Sequence, residues 1–160
     1  MKAIQAILVA LVAAIILTSV AVAGPDAAKQ RVAIDMKLCW PGASEKTFVL
    51  TPLQAGPLKR DSGTISFNWL SISGTPVLRD GQDVTIYKGA VATFIGKRGT
   101  LTIRGRSEWV DVGNDDEIAI STWKVVRGTG QYAGIVGKRG GHAGLGCPWY
   151  ARYEGFLTRP

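Results

Sequence analysis

The stretch that decides the fold is Arg31-Val32-Ala33-Ile34-Asp35-Met36-Lys37-Leu38-Cys39-Trp40. Large apolar side chains occupy every second position from Val32 to Trp40. The alternate positions carry Arg31, Ala33, Asp35 and Lys37. Successive side chains of a β-strand point to opposite faces of the sheet. The alternation therefore predicts a strand with one buried face and one solvated face.

The same period of two recurs downstream, and no segment after the N-terminal region shows the apolar spacing of an amphipathic helix. Further strands are predicted at residues 47–51, 64–73, 83–95, 100–106 with a continuation over 108–112, 118–127 and 149–158. Seven or eight short strands joined by turns are typical of a single all-β domain, either a sandwich or a closed antiparallel barrel. We favour the barrel because closure leaves no unpaired edge strand.

The N-terminal segment has the composition of a secretory signal. Lys2 precedes an uncharged apolar run that ends in Ala21-Val22-Ala23, the small-x-small pattern that signal peptidase requires. We expect residues 1–23 to be a signal peptide and residues 24–160 to form one exported domain, periplasmic or extracellular; an uncleaved membrane anchor is the alternative.

Two cysteines, Cys39 and Cys147, remain after this cleavage. An even number of cysteines in an oxidising compartment predicts a disulfide, and two buried free thiols are the alternative.

The chain is basic, with 19 Lys and Arg against 12 Asp and Glu and a formal net charge of +7. Cleavage after Ala23 would remove only one charge, that of Lys2. Outside the cell this charge favours acidic glycans or anionic lipid headgroups as partners, and nucleic acid is the least expected. Residues 94–99 and 135–140 share the pattern of two apolar residues, Gly, Lys, Arg and Gly, which predicts exposed hairpin tips. The candidate anion-binding residues are therefore Lys97, Arg98, Lys138 and Arg139.

The densest glycine run is Gly128-Thr129-Gly130-Gln131-Tyr132-Ala133-Gly134. Its spacing is one residue longer than the dinucleotide-binding fingerprint, and no Gly-Lys-Ser/Thr sequence occurs, so we interpret the glycines as turn formers. This run, with its preceding strand and the closing Tyr153-Glu154-Gly155-Phe156-Leu157-Thr158, resembles allene oxide cyclase and dirigent-type barrels, above all their small secreted bacterial relatives. The resemblance covers roughly residues 84–158. It implies an eight-stranded antiparallel barrel whose lumen holds an apolar or aromatic small molecule.

Few residues are suited to catalysis. His142 is the single histidine, which excludes a histidine-rich metal site and argues against a Ser-His-Asp triad. The acidic residues 115–117 fit a polar turn better than a calcium loop. We therefore expect neither a metal nor a cofactor. Glu108 and Glu154 are weak candidates for a general acid if they point into the lumen, where burial would raise the pKa of either carboxyl; ion pairing on the outside is the alternative.

Three functions follow. The first is binding of a small hydrophobic or aromatic molecule in the lumen, with Trp109, Trp149, Tyr150 and Tyr153 as candidate contacts. The second is an isomerase or cyclase that uses Glu108 or Glu154 on a reactive apolar intermediate. The third is a cell-envelope module that binds anionic glycan or lipid headgroups through the basic turns. The sequence decides neither the ligand nor the oligomeric state.

Overall fold

The computed structural model describes residues 28–38, 46–68, 74–113, 116–144 and 149–160. These residues form nine β-strands and one short 3₁₀ turn. The strands are β1 Ala28–Leu38, β2 Thr47–Pro52, β3 Asp61–Asn68, β4 Thr75–Arg79, β5 Gln82–Gly96, β6 Gly99–Gly113, β7 Asp116–Gly128, β8 Val136–Gly144 and β9 Trp149–Arg159, and the turn is Gly130–Tyr132. The predicted signal peptide and both cysteines lie outside the described residues.

Hydrogen bonding joins the strands into one antiparallel sheet in the order β3-β2-β1-β9-β8-β7-β6-β5-β4. β3 also pairs with β5, with Ile65 opposite Phe94, and this pairing closes eight strands into a ring. β4 is not a member of the ring. It pairs with the first half of β5, while β3 occupies the second half. The prediction of an all-β antiparallel fold is confirmed at this level.

The strand alternation sorts the side chains onto two faces of the ring. Val32, Ile34 and Met36 of β1 are at most 3% exposed, whereas Arg31 and Lys37, at the two ends of this run and on the other face, are exposed. Ala33 on that outer face is small and also buried. The buried face turns inward and forms one apolar cluster. Its members include Phe48, Leu50, Phe94, Leu101, Ile103, Trp123, Tyr132 and Leu157. Phe48 and Phe94 meet edge to face, with ring centroids 5.2 Å apart, a favourable arrangement of aromatic quadrupoles.

Tyr132 closes one end of this interior. Its side chain is fully buried, and its hydroxyl donates a hydrogen bond of 3.0 Å to the carboxylate of Asp61. Asp61 also accepts backbone N–H bonds from Lys97 and Arg98 in the β5–β6 turn, at 3.0 and 3.2 Å. A side chain at Gly128 would collide with the Tyr132 carbonyl. The glycine run thus forms the turn that carries Tyr132 into the interior, which agrees with the interpretation of these glycines as turn formers. We call the buried Tyr132 side chain the plug.

The structure corrects two strand assignments. Residues 75–79 form β4 and residues 136–144 form β8, and neither range is among the predicted strands. Lys138 and Arg139 consequently lie within a strand, and their prediction as a hairpin tip is wrong. Lys97 and Arg98 do occupy a turn, between β5 and β6. A bulge at Lys88–Ala90 interrupts β5 at Gly89, whose positive φ of 84° favours glycine.

Candidate anion-binding face

A row of three basic residues crosses the outside of the ring. Arg104 of β6 lies directly opposite Lys124 of β7, and Lys124 lies directly opposite Lys138 of β8. All three side chains are exposed. Directly opposite residues in an antiparallel pair have their Cβ atoms about 4.5–5.5 Å apart, and like charges at that separation destabilise the sheet. The row is therefore a local cost to folding that an anionic ligand would relieve.

The row borders a shallow, open depression of about 640 Å³. The residues that line it are Gly89, Arg104, Gly105, Arg106, Thr122, Trp123, Lys124, Lys138, Arg139 and Gly140. Glycines contribute three positions of this wall, and Gly140 stands in the outer row between Thr122 and Glu154. A side chain is thereby missing where neighbouring residues would otherwise fill the surface. We call this feature the basic depression.

Positive charge in the basic depression is largely uncompensated. Five of its lining residues are basic and none is acidic. Arg106 is ion-paired with Glu108 at 2.7 Å, but Arg104, Lys124, Lys138 and Arg139 enter no ion pair within the described part of the chain. The row also continues toward β9, where Phe156 lies opposite Lys138 and the Lys29 ammonium sits 4.3 Å from the Phe156 ring centroid.

The two predicted basic pairs are not brought together. Lys97 and Arg98 lie at the end of β5, six residues before Arg104 along the chain, and their backbone amides hold Asp61. Lys138 instead joins Arg104, Arg106 and Lys124, which sequence reasoning missed. Arg139 borders the basic depression but lies one residue further along β8, in the row of Trp123 and Gly155, so its side chain is on the opposite face from Lys138. Arg104 and Arg106 occupy alternate positions of a predicted strand, so their shared face was visible. That Arg104 lies in one row with Lys124 and Lys138 could not be predicted without the pairing of β7 with β6 and β8.

Glu108 and Glu154 do not enter the interior. Glu108 pairs with Arg79 at 2.6 Å and Arg106 at 2.7 Å, and Glu154 pairs with Arg31 at 2.6 Å and Arg152 at 2.9 Å. The hydrogen bond from Arg79 lowers the pKa of the Glu108 carboxyl, and that from Arg31 does the same for Glu154. A general acid needs the opposite change. The structure therefore shows the stated alternative, ion pairing on the outside, for both glutamates.

Asp61 is a buried carboxylate that sequence reasoning missed, because the predicted strand begins only at residue 64 and Asp61 is the first residue of β3. It is 4% exposed and stands on the inner face. Its two oxygens accept bonds from the amides of Ser62, Lys97 and Arg98 and from the Tyr132 hydroxyl. A carboxylate offers about four acceptor sites, so these donors use its capacity. Asp61 therefore holds the plug in place and is not free for proton transfer.

The aromatic candidates divide between the two faces. Trp109 packs against the core and meets Tyr87 edge to face at 5.7 Å. Tyr153 stacks on Trp123 at 6.4 Å, and burial raises the pKa of its phenol, which hydrogen-bonds Ser121. Tyr150 is 65% exposed, so it is not an interior contact. The side chain of Trp149 lies outside what the structure describes.

Within the described ranges, no group of three or more His, Cys, Asp or Glu residues is placed to hold a metal ion. The same ranges contain no helix that is both long enough and apolar enough to cross a membrane. Comparisons with protein-family models, curated proteins and solved structures give no match to this chain.

Proposed function

We propose that this chain is an exported binding protein that recognises the anionic groups of an envelope molecule at the basic depression. The observation that carries the proposal is the row Arg104–Lys124–Lys138, three cations set directly opposite one another with no carboxylate among them. Such a row opposes folding of the sheet, and a bound phosphate, sulfate or carboxylate group would turn repulsion into attraction.

The shape of the basic depression supports a large, flexible ligand that presents several anionic groups. A volume of about 640 Å³ lies within the range of small-molecule sites, but such sites usually enclose their ligands and this one is open. Arg side chains suit bidentate contacts with oxyanions and Lys side chains act as mobile point charges. Acidic glycans and anionic lipid headgroups both carry this chemistry.

Two probes distinguish these sources: dextran sulfate in solution, and phosphatidylglycerol in phosphatidylcholine vesicles. The test variant is Arg104→Ser/Lys124→Ser/Lys138→Ser. The matched control is Lys37→Ser/Lys59→Ser/Lys97→Ser, which removes the same charge from exposed positions outside the basic depression. Each cation near an anionic surface contributes about 1 kcal/mol, so the test variant should bind phosphatidylglycerol vesicles about a hundredfold more weakly. Equal weakening by both triple variants would mean that net charge, and not this face, governs binding.

A second function rests on a separate observation in the interior. Ser107 and Ser121 are hydrogen-bonded at 2.7 Å, Tyr153 is hydrogen-bonded to Ser121, and the neighbouring inner positions carry the small residues Ala119, Gly141, Ala143 and Ala151. Small inner residues around a polar group suit an apolar ligand with one hydroxyl or carbonyl. A ring of eight antiparallel strands is the architecture that the resemblance to allene oxide cyclase and dirigent-type barrels implies, and we keep that relationship as a proposal.

An apolar fluorescent dye tests the interior site. We expect one dye per chain if this second function holds, and loss of binding in Gly141→Leu. Because a side chain there would meet both the Tyr153 ring and the Arg152 carbonyl, circular dichroism first checks that this variant folds. Dye binding that survives Gly141→Leu would place the dye elsewhere.

A further inference from the structure

A patch of exposed apolar side chains continues the outer face of β7 beyond the basic depression. Ile118 is 46% exposed and Ile120 is 64% exposed, and they alternate with inward-facing Ala119 and Ser121. The outward positions of β7 therefore read Ile118, Ile120, Thr122, Lys124. Tyr150 of β9, 65% exposed, lies in the same cross-strand row as Ile118, with Gly144 between them. We call Ile118, Ile120 and Tyr150 the apolar patch.

We propose, building on the anion-binding function above, that the ligand of the basic depression is the surface of an anionic lipid bilayer. The headgroup phosphates bind Arg104, Lys124 and Lys138, while Ile118 and Ile120 enter the boundary between headgroups and acyl chains. Proteins that lie on a membrane combine these two contacts, burying an apolar face about 5–10 Å deep beside basic residues. Tyr150 is of a residue type enriched at the membrane interface.

Distances along β7 fit such an arrangement. Two residues of a strand advance about 6.6–6.8 Å, so Ile120 and Lys124 are separated by about 13 Å along the surface. Isoleucines and cations are thus neighbours on one face, and a bilayer offers both apolar and anionic groups at this spacing. Two features limit the negative charge beside the apolar patch. Glu108, directly opposite Ile120, is held by Arg79 and Arg106, and Asp111 and Glu117 occupy the cross-strand row next to that of Ile118, on the other face of the strands.

Charge also argues against a second copy of this chain as the occupant. Two copies that meet symmetrically through the same face would bring the basic row of one against the basic row of the other. A soluble acidic glycan would satisfy the cations but would leave the isoleucines in water. An anionic bilayer satisfies both sets of side chains.

The test is a flotation assay with phosphatidylcholine vesicles, with and without phosphatidylglycerol, run beside binding to dextran sulfate. The variant is Ile118→Ser/Ile120→Ser. The matched control is Ile95→Ser/Leu53→Ser, which alters two residues of similar exposure, 46% and 40%, outside the apolar patch and the basic depression. All four side chains are exposed, so we expect both variants to fold, and circular dichroism checks this.

We expect the wild type to float only with vesicles that contain phosphatidylglycerol. Ile118→Ser/Ile120→Ser should bind those vesicles at least about tenfold more weakly, given the transfer free energy of apolar side chains, and should bind dextran sulfate unchanged. The control should behave as wild type with both probes. Vesicle binding that survives the Ile118→Ser/Ile120→Ser change would overturn the bilayer inference and leave the anion-binding function standing. Failure of the wild type to bind either probe would remove both.

Discussion

Lys124 of β7 lies directly opposite Lys138 of β8, on the outer face of the sheet, and Arg104 lies opposite Lys124 on its other side. Lys124 therefore stands between two cations. Cross-strand pairs contribute roughly 0.2–1 kcal/mol to the stability of a sheet, and like charges reverse the sign of that contribution. A cation at this position strengthens the binding of an anion but lowers the stability of the sheet. A substitution that removes the charge therefore changes the two quantities in opposite directions.

Replacing Lys124 should therefore stabilise the protein while it impairs binding. We expect Lys124→Gln to raise the free energy of unfolding by a few tenths of a kcal/mol, and Lys124→Glu to raise it further, because a carboxylate would then lie between Arg104 and Lys138. Urea unfolding at low and high salt measures this. The gain should shrink as salt screens the charges. A loss of stability in Lys124→Glu at low salt would show that the row is not repulsive.

The outer ion pairs should matter little to either property. Because Arg31 lowers the pKa of Glu154, this carboxylate stabilises the fold above its ordinary pKa of 4.5, and the contribution disappears as the pH falls through the lowered value. Exposed pairs are worth little, so Glu154→Gln should cost less than about 1 kcal/mol at neutral pH and nothing in strong acid.

Neither Glu108→Gln nor Glu154→Gln should abolish dye binding in the interior. A complete loss of dye binding in either variant would show that this glutamate contacts the interior ligand. Dye fluorescence with the folded variants makes the measurement.

The Tyr132 plug should control stability at alkaline pH. Removing the hydroxyl in Tyr132→Phe leaves buried Asp61 with one donor fewer, which should cost about 1–3 kcal/mol at neutral pH. Burial raises the pKa of Tyr132, so above the ordinary value of 10 the unfolded chain releases a proton that the folded chain keeps. The wild type should then lose up to about 1.4 kcal/mol per pH unit more than Tyr132→Phe. Parallel stability curves for the two proteins above pH 10 would contradict this.

The predicted disulfide can be tested by its thiols. The last pair of the β1–β9 ladder is Leu38 opposite Trp149. Along the chain, Leu38 is one residue before Cys39 and Trp149 is two residues after Cys147, and both cysteines lie outside the described residues. A bridge closing a loop of about 100 residues stabilises by up to about 4.7 kcal/mol in the chain-entropy model. Unfolded, unreduced protein should give no thiol label, and reduced protein should give two. Two labels without reduction would exclude the bridge.

Sequence reasoning found the strands that alternate and missed those that do not. β1 carries apolar side chains at every second residue, and the first part of β6 does so at Leu101 and Ile103, which is the pattern that predicts a half-buried strand. β8 contains four glycines in nine residues and offers no such pattern. It is a strand because β7 and β9 pair with it on both sides, which is a property of the tertiary fold.

Only part of the basic depression could be predicted from the sequence, for the same reason. The sequence shows Lys138 and Arg139 as a basic pair. Arg104 and Lys124 become neighbours of Lys138 only through the register of β6, β7 and β8. Whether Glu108 and Glu154 point inward or outward depends on which alternate residues of a long, irregular strand face the interior. Composition does not decide this. Register and phase are set by pairing partners distant in sequence.

The central claim is that anions bind on the outer face of β6, β7 and β8. The most direct measurement is a titration of ¹⁵N-labelled protein with a soluble polyanion, inositol hexakisphosphate, followed by amide chemical shifts. We predict the largest shifts at Gly105, Thr122 and Gly140, with no change in Arg104→Ser/Lys124→Ser/Lys138→Ser. Largest shifts at Lys97 and Arg98, or a response that persists in this triple variant, would contradict the claim.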